Sequence, residues 1–188
     1  MNKPRHLLFF GDSLTAGYGL ANPATESFPA LIEKRIAEAG LTYEVSNAGK
    51  SGDTSAGGLQ RLDHWLSKPI DVFVLELGIN DVIRRIPPAA TLAYLSAIIV
   101  KVKEKYPDAR IALMGMQLPP NFHSATAVQF SSVYQKLAEE FEPAFVPFFL
   151  EGVAGHRELN LRDGLHPSAA GYQVIANHIW PLLTKLLT

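Results

Sequence analysis

Residues 7–14 read LLFFGDSL, an apolar run that passes directly into a glycine and a polar pair. Such a run, ended by a turn signal, is typical of a strand buried on both faces of a parallel sheet. Similar short runs recur and alternate with longer segments of helical spacing, which indicates an α/β fold. The predicted strands cover residues 6–10, 43–47, 72–77, 111–115 and 145–147. The predicted helices cover residues 27–39, 56–66, 89–105, 130–141 and 169–186.

Length and composition favour a single domain over residues 1–188. The chain has 188 residues, of which 47% are hydrophobic, and this is enough for one full core. A formal net charge of −1 with intermixed signs offers no basic stripe for nucleic acid. There is no cysteine, which excludes disulfides and thiolate chemistry. The histidines form no metal-binding spacing, and we assign them no metal ion.

The chain is expected to act without stable insertion in a membrane. The apolar run before Gly11 is shorter than the hydrophobic region of a secretory signal. The apolar residues 92–102 are too few to cross a bilayer as a helix. These features favour a cytoplasmic location. A periplasmic or secreted chain whose leader has been removed would read the same way.

Ser13 is a candidate nucleophile. It lies just past the first predicted strand, and ligands of parallel sheets bind beyond the carboxyl ends of the strands. A serine hydroxyl needs a histidine to take its proton and a carboxylate to hold that histidine. Asp163 and His166, three positions apart on a predicted turn, can supply both groups. The alternative is that Asp12 and Ser13 only cap a helix or form a turn.

The loop after the second predicted strand, residues 47–54, reads NAGKSGDT. It is not a phosphate-binding P-loop, because Glu44 stands where that motif requires its first glycine. It is not a nucleophile elbow either, because Asp53 replaces the last glycine of that motif. A bare glycine N–H can approach a developing oxyanion closely. Gly49 and Gly52 are both eligible for that position.

Two further loops carry polar residues beyond predicted strands. Residues 76–81 read ELGIND, and the side-chain amide of Asn80 could donate to an oxyanion. The alternative for this segment is an Asx turn or a helix cap. Pro119, Pro120 and Asn121 belong to a rigid apolar loop, which suits one wall of an acyl-binding cleft as well as it suits an ordinary connection.

The segments around Ser13, at residues 47–54, at residues 76–81 and at residues 163–166 resemble, in this order, the four sequence blocks of the GDSL or SGNH hydrolase family. Within it they are most similar to the bacterial branch of thioesterase I, lysophospholipase L1 and arylesterase. The similarity to this branch lies in residues 47–48, 51–54, 76–78, 118–121 and 147–149. The resemblance implies the SGNH hydrolase fold, a flavodoxin-like three-layer α/β/α sandwich with a five-stranded parallel sheet. It implies no metal and no cofactor.

Carried over by position, the resemblance assigns a role to each candidate. It implies a catalytic triad of Ser13, Asp163 and His166. It implies an oxyanion hole made by the backbone N–H of Ser13, the backbone N–H of Gly52 and the side-chain amide of Asn80.

The expected activity is hydrolysis of small-molecule carboxylic esters with short- to medium-chain acyl or aryl groups, extending to thioesters and lysophospholipids. The alternatives are a carbohydrate O-deacetylase and a flavodoxin-like binding module without catalysis. The family branch often has glycine at position 79, so we expect Ile79 to narrow the acyl pocket. Residues 122–123 replace an aromatic–glycine pair, so short-chain and aryl esters are better expected substrates than long-chain thioesters.

Overall fold

The computed structural model describes residues 4–118 and 125–188. Its strands are all parallel and form one five-stranded sheet in the order β2-β1-β3-β4-β5. The strands are β1 (Arg5–Gly11), β2 (Tyr43–Gly49), β3 (Val72–Glu76), β4 (Arg110–Met114) and β5 (Ala144–Val146). Every predicted strand is present, with ends that differ from the prediction by one or two residues.

The helices include all those predicted and several shorter ones. They are α1 (Ser13–Ala16), α2 (Pro23–Glu26), α3 (Phe28–Glu38), α4 (Ser55–Trp65), α5 (Ile79–Ile83), α6 (Pro88–Lys105), α7 (Ala125–Phe141), α8 (Ala169–Leu187) and a 3₁₀ helix at Arg157–Leu159. Helix α7 starts earlier than predicted, at Ala125. Among the described residues, no helix is both long enough and apolar enough to cross a membrane.

Helices cover both faces of the sheet, which makes three layers. Phe9 and Phe10 are neighbours on β1 and therefore point to opposite faces. The ring of Phe9 packs edge-on against Phe28 of α3, with centroids 5.1 Å apart. The ring of Phe10 lies under the guanidinium of Arg61 on α4, 4.1 Å from its centroid. Helix α3 packs beside α8 on one face, and α6 packs between α4 and α7 on the other.

The strand order places a crevice at the carboxyl end of β1. The chain goes from β1 to β2 on one side and then returns to β3 on the other, so connections diverge at this point. Ligands of open parallel sheets bind where the connections diverge. Gly11 at the end of β1 pairs in register with Glu76 at the end of β3. The loops that carry Ser13 and Asn80 therefore start side by side.

Candidate active site

Ser13 and His166 meet at the carboxyl end of β1. The Oγ–H of Ser13 donates to Nε2 of His166 across 2.9 Å. The Nδ1–H of the same ring donates to Oδ2 of Asp163 across 2.7 Å. Because an ionised carboxylate only accepts hydrogen bonds, it keeps the ring proton on Nδ1 and leaves Nε2 free to take a proton from serine. The structure thus brings together the three residues that the sequence indicated as a triad.

Asp163 is held by the turn that it begins. Its Oδ1 accepts the backbone N–H of Leu165 at 2.9 Å and that of His166 at 3.0 Å. Partial burial alone would raise the pKa of Asp163, but hydrogen bonds from the backbone and ring of His166 and from Leu165 outweigh it and lower the pKa to about 2. The carboxylate is therefore charged across the neutral and mildly acidic range.

Ser13 is the first residue of the one-turn helix α1. Oδ1 of Asp12 accepts the N–H of Leu14 at 3.0 Å, so Asp12 is the helix cap that the alternative interpretation expected. The N–H of Ser13 belongs to the first turn and has no acceptor inside the helix. A Cβ at Gly11 would overlap Oγ1 of Thr15, so only glycine allows the end of β1 to lie this close to the Thr15 side chain. Capping and presentation of the serine are compatible in this turn.

The structure separates the two eligible glycines of the second loop. The N–H of Gly49 donates to Oδ1 of Asn47 at 2.9 Å, and its Cα packs against the backbone of Ala16. Gly52 instead lines the same cleft as Ser13, with a φ of 77°. In the described part of the chain, the N–H of Gly52 makes no hydrogen bond. Gly52 is thus the glycine with an N–H available to a ligand.

Asn80 lies in the first turn of α5 and lines the cleft that contains Ser13. Its Nδ2 donates one N–H to Oδ2 of Asp12 across 3.0 Å. An amide nitrogen has two N–H groups, so the second is left for a ligand. The Asp12 carboxylate cannot donate a hydrogen bond. The atom of the Asn80 amide that faces it is therefore the nitrogen and not the oxygen. Asn80 was predicted from the sequence, but its contact with Asp12 was not.

Asp12 and Glu76 form a buried carboxyl pair behind the serine, and neither is exposed to solvent. Oε2 of Glu76 accepts the hydroxyl of Thr15 at 2.7 Å, while its Oε1 has no partner among the described residues. Burial, with the charge of Asp12, raises the pKa of Glu76 well above its usual range. Burial also raises the pKa of Asp12, to about 7, against hydrogen bonds from Leu14 and Asn80. Oε2 of Glu76 also accepts the backbone N–H of Asp12 at 3.4 Å. Because both oxygens of Asp12 accept an N–H, whereas Oε1 of Glu76 has no hydrogen-bond partner among the described residues, we assign the proton of this pair to Glu76.

The cleft above Ser13 has a volume of about 220 Å³ and a largely apolar wall. Ile79 lies in this wall, as its predicted position beside Asn80 requires. The wall has other apolar residues that were not predicted from the sequence, which are Leu14, Tyr18, Ile83 and Leu165. The ring of Tyr18 lies 4.6 Å from the ring of His166, centroid to centroid, and is 52% exposed. An exposed aromatic ring in contact with the candidate base suits an apolar ligand.

Three of the predicted wall residues, Pro119, Pro120 and Asn121, lie outside the described residues. Within the described ranges, no group of three histidine or acidic side chains is arranged to hold a metal ion.

A second serine–histidine contact occurs at the opposite end of β1. Nε2 of His6 lies 2.8 Å from Oγ of Ser46, and its Nδ1 lies 2.9 Å from the carbonyl oxygen of Pro69. The carbonyl only accepts, so the ring donates from Nδ1 and accepts the hydroxyl of Ser46. His6 is the second residue of β1 and Ser46 lies in the middle of β2, so their contact joins these two strands away from the crevice at the carboxyl ends. It satisfies a buried histidine.

Comparison with known proteins places these residues in a family. The model of the GDSL-like lipase/acylhydrolase family matches residues 9–174. The chain is 42% identical to the esterase TesA of Pseudomonas aeruginosa, over 96% of this chain and 89% of that protein. It is 38% identical to the thioesterase 1/protease 1/lysophospholipase L1 of Escherichia coli K12, over 96% and 84%.

The fold agrees with the same assignment. A crystal structure of TesA superposes with a TM-score of 0.91 at 40% identity, covering 97% of this chain and 100% of that one. The predicted SGNH hydrolase fold is confirmed by this match, and the predicted hydrolase class is confirmed by the family. The chain belongs to the GDSL-like lipase/acylhydrolase family.

Proposed function

We propose that this protein hydrolyses carboxylic esters through an acyl-enzyme on Ser13. The observation that carries the proposal is the continuous relay from Ser13 Oγ–H to His166 Nε2 and from His166 Nδ1–H to Asp163. The relay meets the geometric requirement for an activated serine, in which nucleophile, base and orienting carboxylate lie within hydrogen-bond reach of one another.

In the acylation step, Oγ of Ser13 attacks the carbonyl carbon as its proton passes to Nε2 of His166. The tetrahedral intermediate collapses when His166 returns that proton to the leaving oxygen, which breaks the ester bond. A water molecule then repeats the sequence on the acyl-enzyme, with His166 as base, and releases the acid. Asp163 stays ionised throughout and stabilises the imidazolium, as its low pKa requires.

The negative charge of the tetrahedral oxygen is stabilised by the donors that line the cleft. The N–H of Ser13, the N–H of Gly52 and the second N–H of Asn80 would converge on this oxygen. Removal of one such donor typically lowers kcat by about 10²- to 10³-fold.

The size and the apolar lining of the cleft favour substrates with small or medium acyl groups. Its volume of about 220 Å³ is below the roughly 300–1,000 Å³ of pockets that take drug-sized ligands. Its wall is mostly apolar, which suits an alkyl or aryl group better than an acetylated sugar. The names of the two relatives, an esterase and a thioesterase with lysophospholipase activity, support both oxygen and sulfur leaving groups.

The test is hydrolysis of p-nitrophenyl esters from acetyl to palmitoyl by the wild type and by Ser13→Ala. We expect turnover with an optimum at short to medium chains, and we expect Ser13→Ala to lose it. Turnover that survives in Ser13→Ala would contradict the proposal. Acetyl release from acetylated sugars, without turnover of any p-nitrophenyl ester, would instead support the O-deacetylase alternative.

Labelling with an alkyl phosphonate separates this site from the second serine–histidine pair. We expect the phosphonate to form an adduct on Ser13 and none on Ser46, since Ser46 lies in the middle of β2, where its hydroxyl donates to His6 and does not line the cleft. Peptide mass mapping of the labelled protein identifies the modified serine. A protein that takes no label and turns over no ester would favour the binding-module alternative.

A further inference from the structure

One exposed side chain connects the two loops that carry Gly52 and Asn80. Arg84 directly follows α5, the helix that presents Asn80. Its Nη2 donates to the carbonyl oxygen of Gly52 across 2.6 Å. A hydrogen bond from a charged donor is stronger than one between neutral groups. Arg84 therefore fixes the distance between the second and third loops of the site at their outer surface.

The backbone turn around Gly52 is one whose conformation a hydrogen bond from Arg84 can restrict. The N–H of Asp53 donates to the carbonyl of Lys50 at 3.0 Å and closes a turn around Gly52. Gly52 has a φ of 77° and no Cβ, so its backbone is less restrained than that of any other residue type. When the carbonyl of Gly52 is held by Arg84, rotation about the backbone bonds of Gly52 is limited. The direction of the Gly52 N–H is then limited as well.

We propose that Arg84 is a positioning residue of the oxyanion hole. Its guanidinium holds the Gly52 turn so that the N–H of Gly52 and the amide of Asn80 face the same oxygen of the substrate. The inference rests on the proposed function, because it assigns both donors to the developing oxyanion.

Arg84 acts through Gly52, because it does not line the cleft above Ser13. It lies on the other side of the Gly52 turn, in a separate depression of about 400 Å³ that also contains Lys50 and Gln60. A substrate in the cleft would therefore meet Gly52 and not the guanidinium.

The fold does not depend on the hydrogen bond from Arg84 to Gly52, because a set of buried hydrogen bonds joins the same two loops. Asp81 is fully buried and accepts the N–H of Ser55 at 2.9 Å, the hydroxyl of Ser55, and the hydroxyl of Thr91 at 3.1 Å. Arg84 is exposed and makes its one hydrogen bond at the surface. Loss of Arg84 should therefore loosen the turn and leave the domain folded.

The experiment compares Arg84→Ala and Arg84→Lys with Arg85→Ala. Arg85 is the neighbouring exposed arginine, and its side chain makes no hydrogen bond or ion pair within the described residues. The control thus removes the same charge one position away. The substrate is p-nitrophenyl butyrate, which is neutral, so that charge attraction to the substrate does not contribute.

Complete loss of one oxyanion donor lowers kcat by about 10²- to 10³-fold. In Arg84→Ala the Gly52 N–H is present but less well fixed, so we expect kcat to fall by about 5- to 30-fold and KM to change by no more than about twofold. Arg84→Lys keeps the charge but lacks the planar fork, and we expect an intermediate kcat. Arg85→Ala should match the wild type. The melting temperature of each variant, measured in parallel, should stay near that of the wild type.

A transition-state analogue provides the readout that a purely structural role would not move. A butyl boronic acid forms a tetrahedral adduct on an activated serine, and its inhibition constant should rise by the same factor by which kcat/KM falls. An unchanged inhibition constant in Arg84→Ala would overturn the inference. So would an unchanged kcat in that variant, or an equal loss in Arg85→Ala.

Ser13→Ala, assayed beside these variants, keeps this inference separate from the proposed function. Turnover that persists without the Ser13 hydroxyl would reject the proposed function itself. An inactive Ser13→Ala together with a fully active Arg84→Ala would reject only the role of Arg84.

Discussion

Asp163 keeps 43% of its side-chain surface exposed although it orients the ring of the candidate base. Three hydrogen bonds hold its carboxylate, and its pKa of about 2 means that it stays charged well below neutral pH. A loss of activity on mild acidification would therefore not come from protonation of Asp163. Asp163 can orient the ring of His166 in this way only because its carboxylate accepts hydrogen bonds and does not donate them.

Replacement of Asp163 by asparagine tests that point. The amide can donate to Nδ1 and so stabilise the ring tautomer that carries its proton on Nε2, which cannot accept from Ser13. A buried triad aspartate replaced in this way costs about 10⁴ in kcat, and we expect about 10²- to 10⁴-fold here because water can reach the exposed site. The measurement is kcat for p-nitrophenyl butyrate at pH 8. A loss of less than about fivefold would show that the carboxylate is not needed.

Asp12 offers a second prediction, through its hydrogen bond to Asn80. Asp12→Asn keeps the size of the side chain but allows the Asn80 amide to turn its oxygen towards the cleft. We expect kcat to fall by about 10- to 100-fold, part of the cost of losing an oxyanion donor. In a double-mutant cycle, Asp12→Asn should have little further effect on an Asn80→Ala background. Additive losses would mean that Asp12 acts independently of Asn80.

Ile79 carries the prediction about chain length. It lies in the apolar wall of the cleft, and Ile79→Gly would remove its side chain from that wall. We expect the optimum of the p-nitrophenyl ester series to move to longer acyl chains. Val82→Gly is the control, because it weakens the same helix with glycine at a position that does not line the cleft. Identical chain-length profiles for Ile79→Gly and the wild type would remove this role of Ile79.

Among the secondary structure elements, the sheet was predictable and the short helices were not. A strand buried on both faces, such as β1, is apolar throughout and is visible in the sequence. Helices α1 and α5 contain four and five residues, too few to show a helical period, yet they present Ser13 and Asn80. The choice of Gly52 over Gly49 came from the family resemblance and not from the residues themselves, because it depends on the Asn47 side chain folding back to the Gly49 N–H.

The contact between β2 and α1 gives a prediction for stability. A Cβ at Gly49 would overlap the backbone of Ala16, so Gly49→Ala must push α1 away from the sheet. Overpacking of this kind costs about 1–3 kcal/mol, and the shift of α1 should also lower kcat. Gly40→Ala is the control, since a Cβ there meets nothing within 4 Å and only its φ of 70° is unfavourable. Unfolding in urea and ester hydrolysis measure the two effects. Wild-type activity in Gly49→Ala would show that the serine turn tolerates the shift.

At the scale of the whole molecule, the buried acidic side chains of the described residues lie beneath the active site. Asp12, Asp53, Glu76 and Asp81 are at most 6% exposed. Arg61 pairs with Asp53, its Nε 2.5 Å from Oδ2. The pKa values of Asp12 and Glu76 are raised first by burial and then by the charges of neighbouring carboxyl groups. The free energy of unfolding of the entire domain should therefore depend on pH.

The sign of this dependence follows from the direction of the Glu76 shift. A carboxyl group with a pKa raised by folding contributes stability that is fully present below its unfolded value, near about 4.3, and is lost as the pH rises through its folded value. The wild type should thus lose stability from mildly acidic to alkaline pH. Glu76→Gln carries no proton to lose, so its melting temperature relative to the wild type should rise steadily between pH 5 and pH 9. Glu139→Gln, at an exposed helical position, should leave the difference constant. A constant difference for Glu76→Gln as well would mean that Glu76 is not the group that holds the buried proton, and the proton would then belong to Asp12.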